Sequence, residues 1–215
     1  MTETQICVSL RGHSVENMIR DASRAAAAQA DLVEVCFDNL YVNRIELEPM
    51  IIKNADGEET IQKQPPIMEQ RPIEDVDVEA SIQTLKDGIH IPVIFTCRSS
   101  AEGGYFHGDE NARIAILKAA IESEVSWVDL EISIASKARK ALVKACGEKI
   151  SIIASSHLPP ASSTEEIIEF VTAPSGNQSC IYSNQLGNSL AFISFFLLVI
   201  SITHNPSYSC YSCYT

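Results

Sequence analysis

The sequence predicts an α/β fold built on a parallel sheet, and three features predict it. Short apolar runs alternate with helix-like runs along most of the chain. The short runs are apolar on both sides, as strands of a covered parallel sheet are. The longer runs open and close on helix-capping residues. Right-handed crossovers then join the strands into five β units.

Taken in order, ICVSL at 6–10 is the first strand and the Ala-rich SVENMIRDASRAAAAQA its helix. LVEVCF at 32–37 is the second strand, and a helix is expected near 78–87. VIFTC at 93–97 precedes DENARIAILKAAIES, where Asp109 is placed to cap the helix start. WVDLEI at 127–132 leads into IASKARKALVKACG, with Gly147 as the stop signal. ISIIASS at 150–156 leads to STEEIIEFV, in which Ser163 and Glu166 fit a capping box.

Two stretches break this rhythm. From about Tyr41 to Asp77 the chain is rich in Glu, Gln, Pro and Asp, and ADGEE and KQPPIMEQRP read as loop, so a mobile insertion is expected there. From Pro174 to Thr215 there is no Lys, Arg, Asp or Glu. That change of composition marks a boundary, giving a domain over 1–173 and a tail over 174–215 with no domain assigned. Within the tail, LAFISFFLLVISI at 190–202 is shorter than the roughly 18–20 residues that span a bilayer and has no flanking basic residues. It is open to three readings: a membrane anchor, a buried segment, or sequence foreign to the domain. CYSC at 210–213 has no second pair of ligands and reads as low-complexity sequence.

The 215 residues suffice for one domain or a single barrel of modest size, and two large domains would not fit. Net charge is −12, from 28 acidic and 16 basic side chains, which argues against nucleic acid and anionic membranes as partners. The seven cysteines are odd in number, dispersed and mostly inside apolar runs, so a reducing compartment is expected rather than a disulfide scaffold. The first residues, MTETQICVSL, lack a basic region followed by a long apolar segment. The expected location is the cytoplasm, with a plastid left open for a plant source.

In a β/α barrel, chemistry sits where strands end and the following loops begin. Ser9 closes the first strand, Glu34 and Asp38 mark the second, Arg98 and Glu102 follow the third, Glu131 lies on the fourth, and His157 ends the fifth. An anionic substrate needs a cation such as Arg98, a carboxylate such as Glu102 can orient an imidazole, and His157 can move protons near neutral pH. Glu34 and Glu131 read equally well as members of a structural ion-pair network. Gly103 and Gly104 either turn the chain or let backbone approach a ligand.

IFTCRSSAEGGYFHGDENAR, WVDLEI, ADLVEVCFDNL and IIASSH resemble the type I 3-dehydroquinate dehydratases, and GDENAR is most similar to the plant-type dehydratase domain. The resemblance runs in order from residue 5 to about 172, apart from the insertion. Its most specific parts are the R-x-x-x-E-G-G element and the Ser-Ser-His strand end, taken together. It implies a (β/α)₈ barrel that removes water from 3-dehydroquinate to give 3-dehydroshikimate in the shikimate pathway. A lysine of that family forms a Schiff base with the substrate ketone, and a histidine takes the adjacent proton and assists departure of the hydroxyl. By position the resemblance makes His157 the acid/base, Glu102 its paired carboxylate, and Ser9, Glu34 and Arg98 substrate-binding groups. It implies no metal or organic cofactor and a small anionic substrate as partner.

The sequence also departs from the family pattern. Cys36 stands where that pattern has arginine, and the expected lysine segment reads SGNQSCIYSNQLGN, Lys149 being the last lysine. About five of eight units are therefore expected: a partial TIM-type barrel, truncated after the fifth unit, with an unrelated uncharged tail that can lie against the open sheet edge. The function implied is 3-dehydroquinate dehydration with impaired turnover in this chain. The alternative is a non-catalytic fragment, membrane-associated or bound to a partner. Oligomeric state is not readable from the sequence.

Overall fold

The computed structural model describes residues 5–53 and 59–155, together with the backbone of two strands at 197–201 and 211–212. Eleven strands are described, β1 (Gln5–Leu10), β2 (Leu32–Cys36), β3 (Val42–Ile45), β4 (Met50–Lys53), β5 (Glu59–Gln62), β6 (Ile67–Gln70), β7 (Val93–Thr96), β8 (Trp127–Glu131), β9 (Ser151–Ser155), β10 (Leu197–Ser201) and β11 (Tyr211–Ser212). Four helices accompany them, α1 (Val15–Ala27), α2 (Val78–Gly88), α3 (Glu110–Glu122) and α4 (Ser136–Cys146). The main sheet runs β11-β10-β1-β2-β7-β8-β9, with β1, β2, β7, β8 and β9 mutually parallel. These are the five strands expected from the apolar runs.

All four helices pack on one face of that sheet. Val8, Leu10, Val33, Val35, Phe95, Val128 and Leu130 meet Met18, Ala22 and Ala25 of α1, Ile82 and Leu85 of α2, Ile116 and Leu117 of α3, and Leu142 and Cys146 of α4 in one buried cluster. A doubly wound sheet would carry helices on both faces, whereas one-sided coverage is the wall of a β/α barrel. Each fully buried aliphatic side chain in this cluster contributes about 1.5–3 kcal/mol. The other face is the inner one. It holds a smaller apolar cluster, Cys7, Leu32, Ile94 and Ile153 with Trp127 packed against it.

The helix boundaries follow local chemistry. The Ser14 hydroxyl accepts from Asn17 N at 3.3 Å to start α1, Asp77 accepts from Ala80 N at 3.0 Å to start α2, and Asp109 accepts from Ala112 N at 2.8 Å to start α3. Gly147, at φ 59°, ends α4 in backbone space that a side chain would resist. The capping box at Ser163 and Glu166 lies outside the described residues.

The loop expected over 41–77 is corrected by two antiparallel ribbons, β3 with β6 and β4 with β5. VNRI, MIIK, ETIQ and IMEQ are each only four residues long, too short for period-2 patterning to stand out among Glu, Gln and Pro. Ile51, Ile61 and Ile67 are at least half exposed. The ribbon root is tied to the barrel by Arg71, which donates to Asn43 Oδ1 at 2.7 and 3.0 Å and to the His13 carbonyl at 3.2 Å.

β10 lies parallel to the free edge of β1, pairing Gln5 through Ser9 with Leu197 through Ser201, and β11 returns antiparallel to it. The tail thus borders the open edge of the sheet, as the sequence allows. Of 190–202, only this strand is described. No helix among the described residues is long and apolar enough to cross a membrane.

Leu117 is 1 % exposed and Ile61 75 % exposed. Leu117→Ala is expected to lower unfolding free energy by about 2–5 kcal/mol and Ile61→Ser to change it by less than about 0.5 kcal/mol, measured by urea denaturation.

Candidate active site

Strand periodicity builds the site. On the inner face, Ser9 follows Cys7 on β1, Glu34 and Cys36 follow Leu32 on β2, Thr96 follows Ile94 on β7, Asp129 and Glu131 follow Trp127 on β8, and Ser155 follows Ile153 on β9. The outward neighbours between them are the core residues already described. Each strand therefore changes its inner face from apolar to polar near its carboxyl end, where a β/α barrel places ligands.

Three of the five anticipated site residues meet on this rim. The Ser9 hydroxyl donates to Glu34 Oε2 at 2.5 Å, and Thr96 Oγ1 donates to the other oxygen, Oε1, at 3.1 Å. Glu34 is thus held from both flanking strands, with Ser9 only 1 % exposed. Arg98, just beyond β7, brings its Nε to 3.7 Å from Glu131 Oε1, an ion pair too long for a hydrogen bond. Glu102 closes the single turn Ser100–Glu102 and is half-buried. Its negative charge acts on both Asp129 and Glu131. His157 lies outside the described residues.

Glu131 belongs to the ion-pair network that the sequence left as one of its two readings. Arg113 of α3 reaches it through Nη1 at 2.5 Å and is itself clasped by Glu110 through two contacts of 2.9 Å. Burial, followed by the Glu102 charge, nevertheless pushes the Glu131 carboxyl up to about 8. Asp38 is structural. Its two oxygens accept from the Arg98 amide at 3.2 Å and the Tyr105 amide at 3.0 Å, so it pins both ends of the loop that carries Glu102. Within that loop Gly103 adopts φ 80°, and a Cβ on Gly104 would come within 2.3 Å of the Arg98 carbonyl oxygen. The glycine pair thus turns the chain and lets Gly104 press against Arg98.

Asp129, Thr96 and Arg113 were not singled out from the sequence. Asp129 and Thr96 stand two residues before Glu131 and Arg98, and the period-2 rule would have found them. Arg113 sits in the first turn of α3 and reads as a surface cation until the helix is docked. Asp129 is pushed up to about 7 by burial, opposed most by the adjacent Ser155 hydroxyl, with the Glu34 charge raising it further and Arg98 pulling it down by less. The Ser155 hydroxyl stands close to Asp129 without completing a hydrogen bond of good geometry.

Asp129 Oδ1, Glu131 Oε1, Arg98 Nε and Ser155 Oγ are buried and lack a hydrogen-bond partner among the described residues. Buried polar atoms are nearly always satisfied, and each that is not costs about 1–3 kcal/mol. Four of them on three adjacent inner strand ends mark a place that a polar ligand or water would fill. A protonated Asp129 carries no charge, which lessens the repulsion between this acidic rim and an anion.

A family model described as type I 3-dehydroquinase matches residues 6–174. The chain is 28% identical over 152 residues to the bifunctional 3-dehydroquinate dehydratase/shikimate dehydrogenase, chloroplastic, of Arabidopsis thaliana, covering 71% of this chain and 20% of that protein. It is 30% identical over 154 residues to the 3-dehydroquinate dehydratase of Methanothermobacter thermautotrophicus, covering 72% of this chain and 52% of that one. The Methanosarcina mazei enzyme of the same name is 34% identical over 162 residues, with 72% and 54% covered. The chain thus spans about half the length of these archaeal relatives and a fifth of the plant protein. In fold it is similar to the type I 3-dehydroquinate dehydratase of Clostridium difficile, with a TM-score of 0.62 at 18% identity over 94% of this chain and 77% of that one. The Geobacillus kaustophilus enzyme gives 0.61 at 17% identity over 93% and 74%.

In the fold Asp129 keeps its proton up to about pH 7, whereas the ordinary value is 3.8. Between these values the folded state holds the extra proton, so this group's contribution to stability is full below about pH 3.8 and lost as pH rises through about 7. Asp129→Asn is expected to match the parent in urea midpoint near pH 4 and to exceed it at pH 8 by a few kcal/mol; parallel pH profiles would contradict the shift. Gly104→Ala is expected to cost about 1–3 kcal/mol by displacing Arg98, read in the same denaturation assay.

Proposed function

Because the chain belongs to the type I 3-dehydroquinase family, we propose that its inner rim binds 3-dehydroquinate, in the lineage of enzymes that dehydrate it to 3-dehydroshikimate. The observation that carries this reading is the cluster of unsatisfied buried polar atoms at the ends of β7, β8 and β9. The substrate is a small ring with a carboxylate, hydroxyls and a ketone. Arg98 offers a guanidinium to its oxygens, while Glu34, oriented by Ser9 and Thr96, accepts from a hydroxyl. His157, two residues beyond Ser155 in sequence, is assigned the proton transfers, with Glu102 as the carboxylate that orients it and favours its cationic form.

The dehydration requires loss of a proton beside the ketone, departure of the neighbouring hydroxyl as water, and somewhere for the electron pair to rest between those events. A protonated imine supplies that rest, and making one requires an amine shielded from water. The chain has eight lysines. Lys86, Lys118, Lys137, Lys140 and Lys144 are exposed on the helices, Lys149 is exposed before β9, Lys63 is exposed beyond β5, and Lys53 ends β4 in the ribbon. None stands on the inner rim. These 215 residues therefore supply binding and proton-transfer groups without the imine-forming amine, which favours ligand binding with little or no turnover by this chain alone.

Calorimetry with 3-dehydroquinate, a turnover assay for the conjugated product and borohydride trapping test the reading on the full chain. Binding is expected, weakened about tenfold or more by Arg98→Ala or Glu34→Gln, with no borohydride-trapped adduct. Efficient trapping would refute the absence of an imine, and no binding by demonstrably folded protein would refute the site.

A further inference from the structure

Among the described residues, the Arg11 side chain is a cation at the rim with no hydrogen-bond or ion-pair partner. Of the eight arginines, Arg20 and Arg24 pair with Asp21, Arg44 with Glu46, Arg71 with Asn43, Arg98 with Glu131, and Arg113 with Glu110 and Glu131, while Arg139 donates to the carbonyls of Ile132 and Ile134. No hydrogen bond or ion pair engages the Arg11 side chain among the described residues, although it is half-buried. No Arg11 nitrogen is among the buried unpaired atoms, so water reaches its guanidinium, and an incoming carboxylate can replace that water with two charge-assisted hydrogen bonds at once.

Register puts this residue in the site. Ser9 lies opposite Glu34 and Leu10 opposite Val35, so the next step along the two parallel strands sets Arg11 beside Cys36. Cys7 and Ser9 both face inward on β1, and the two-residue period carries Arg11 onto the same face, one layer above the Ser9–Glu34 hydrogen bond. The charge of Arg11 acts on the Cys36 thiol, as does that of Arg98. Cys36 is 6 % exposed, and burial pushes its thiol well above the ordinary range, so it contributes volume and no charge. Arg98 is already shared with Glu131.

We propose that Arg11 anchors the carboxylate of the bound ligand at the β1–β2 side of the rim, leaving Arg98 and Glu34 to its hydroxyl and ketone oxygens. This rests on the reading that the rim receives 3-dehydroquinate. The division fits the substrate class, a small carboxylic acid whose single charge and several hydroxyls need separate partners. Arg11 is a substrate-binding residue here and takes no part in proton transfer.

The test compares the full chain with Arg11→Gln and Arg11→Lys by calorimetry, using 3-dehydroquinate and its methyl ester as ligands, with Arg24→Gln on α1 as the control. Because Arg11 has no hydrogen-bond or ion-pair partner among the described residues, both variants are expected to keep the parent's urea midpoint. Arg11→Gln should weaken 3-dehydroquinate about tenfold or more while leaving the uncharged ester nearly unchanged, and Arg11→Lys should recover part of the loss. Equal affinity of the parent and Arg11→Gln for 3-dehydroquinate overturns the Arg11 assignment and leaves the site reading standing. An equal loss for acid and ester overturns the carboxylate role specifically. Absence of binding by the folded parent overturns both.

Discussion

Glu131 is held between two guanidiniums that arrive from different directions, Arg113 from α3 and Arg98 from the end of β7. A carboxylate 2 % exposed at the end of a central strand has almost no water to solvate it, so its state depends on these neighbours. The net stabilisation from such a network is small, because desolvating three ionic groups offsets most of their mutual attraction. Its consequence is positional. Removing either arginine would leave the buried acid with a single counter-charge, so docking of α3 and the place of Arg98 are coupled through one side chain. Arg113 also donates to the Cys97 carbonyl at 3.4 Å, which binds the helix to the same strand end.

Around that network the rim is assembled by alternation within strands. The same five strands supply a helix-facing core that stabilises the fold and an inner face that turns polar toward its carboxyl ends. The stable outer layer can hold buried polar atoms without partners, which the inner layer alone could not. Burial also places the Asp129 carboxyl near neutrality, and the accumulation of acidic groups then need not repel an anionic ligand.

The loop after β7 shows how backbone geometry serves the same site. Asp38 accepts from the amides at both ends of the loop, and Gly104 lies so close to the Arg98 carbonyl that a side chain has no room. Glu102 is carried on the turn between them. On the other side of β2, Arg71 joins the ribbon root to the His13 carbonyl, so the insertion is fastened to the loop that follows β1 without interrupting β2 or α2. The outer ribbon, β4 with β5, contributes little to the core and leaves its isoleucines largely exposed.

Much of this was legible in the order of residues. Apolar runs, Asp109 and Gly147 announced the strands, one capped helix start and one helix end, because period and capping are local properties. Ser9, Glu34 and Arg98 stood out because polar residues at the ends of apolar runs are conspicuous in one dimension. The ribbons were not legible, since four-residue strands set among Glu, Gln and Pro are defined by pairing across the chain rather than by pattern. Docking of α3 made Arg113 the partner of Glu131, and the strand order brought Asp129 within reach of the Glu34 and Glu102 charges. The sequence by itself determined the fold class, the family and the absence of any lysine after Lys149. Only tertiary structure decided which charges neutralise one another and which, like Arg11 among the described residues, stay unpaired, because Coulomb energy and desolvation depend on distances that no one-dimensional pattern contains.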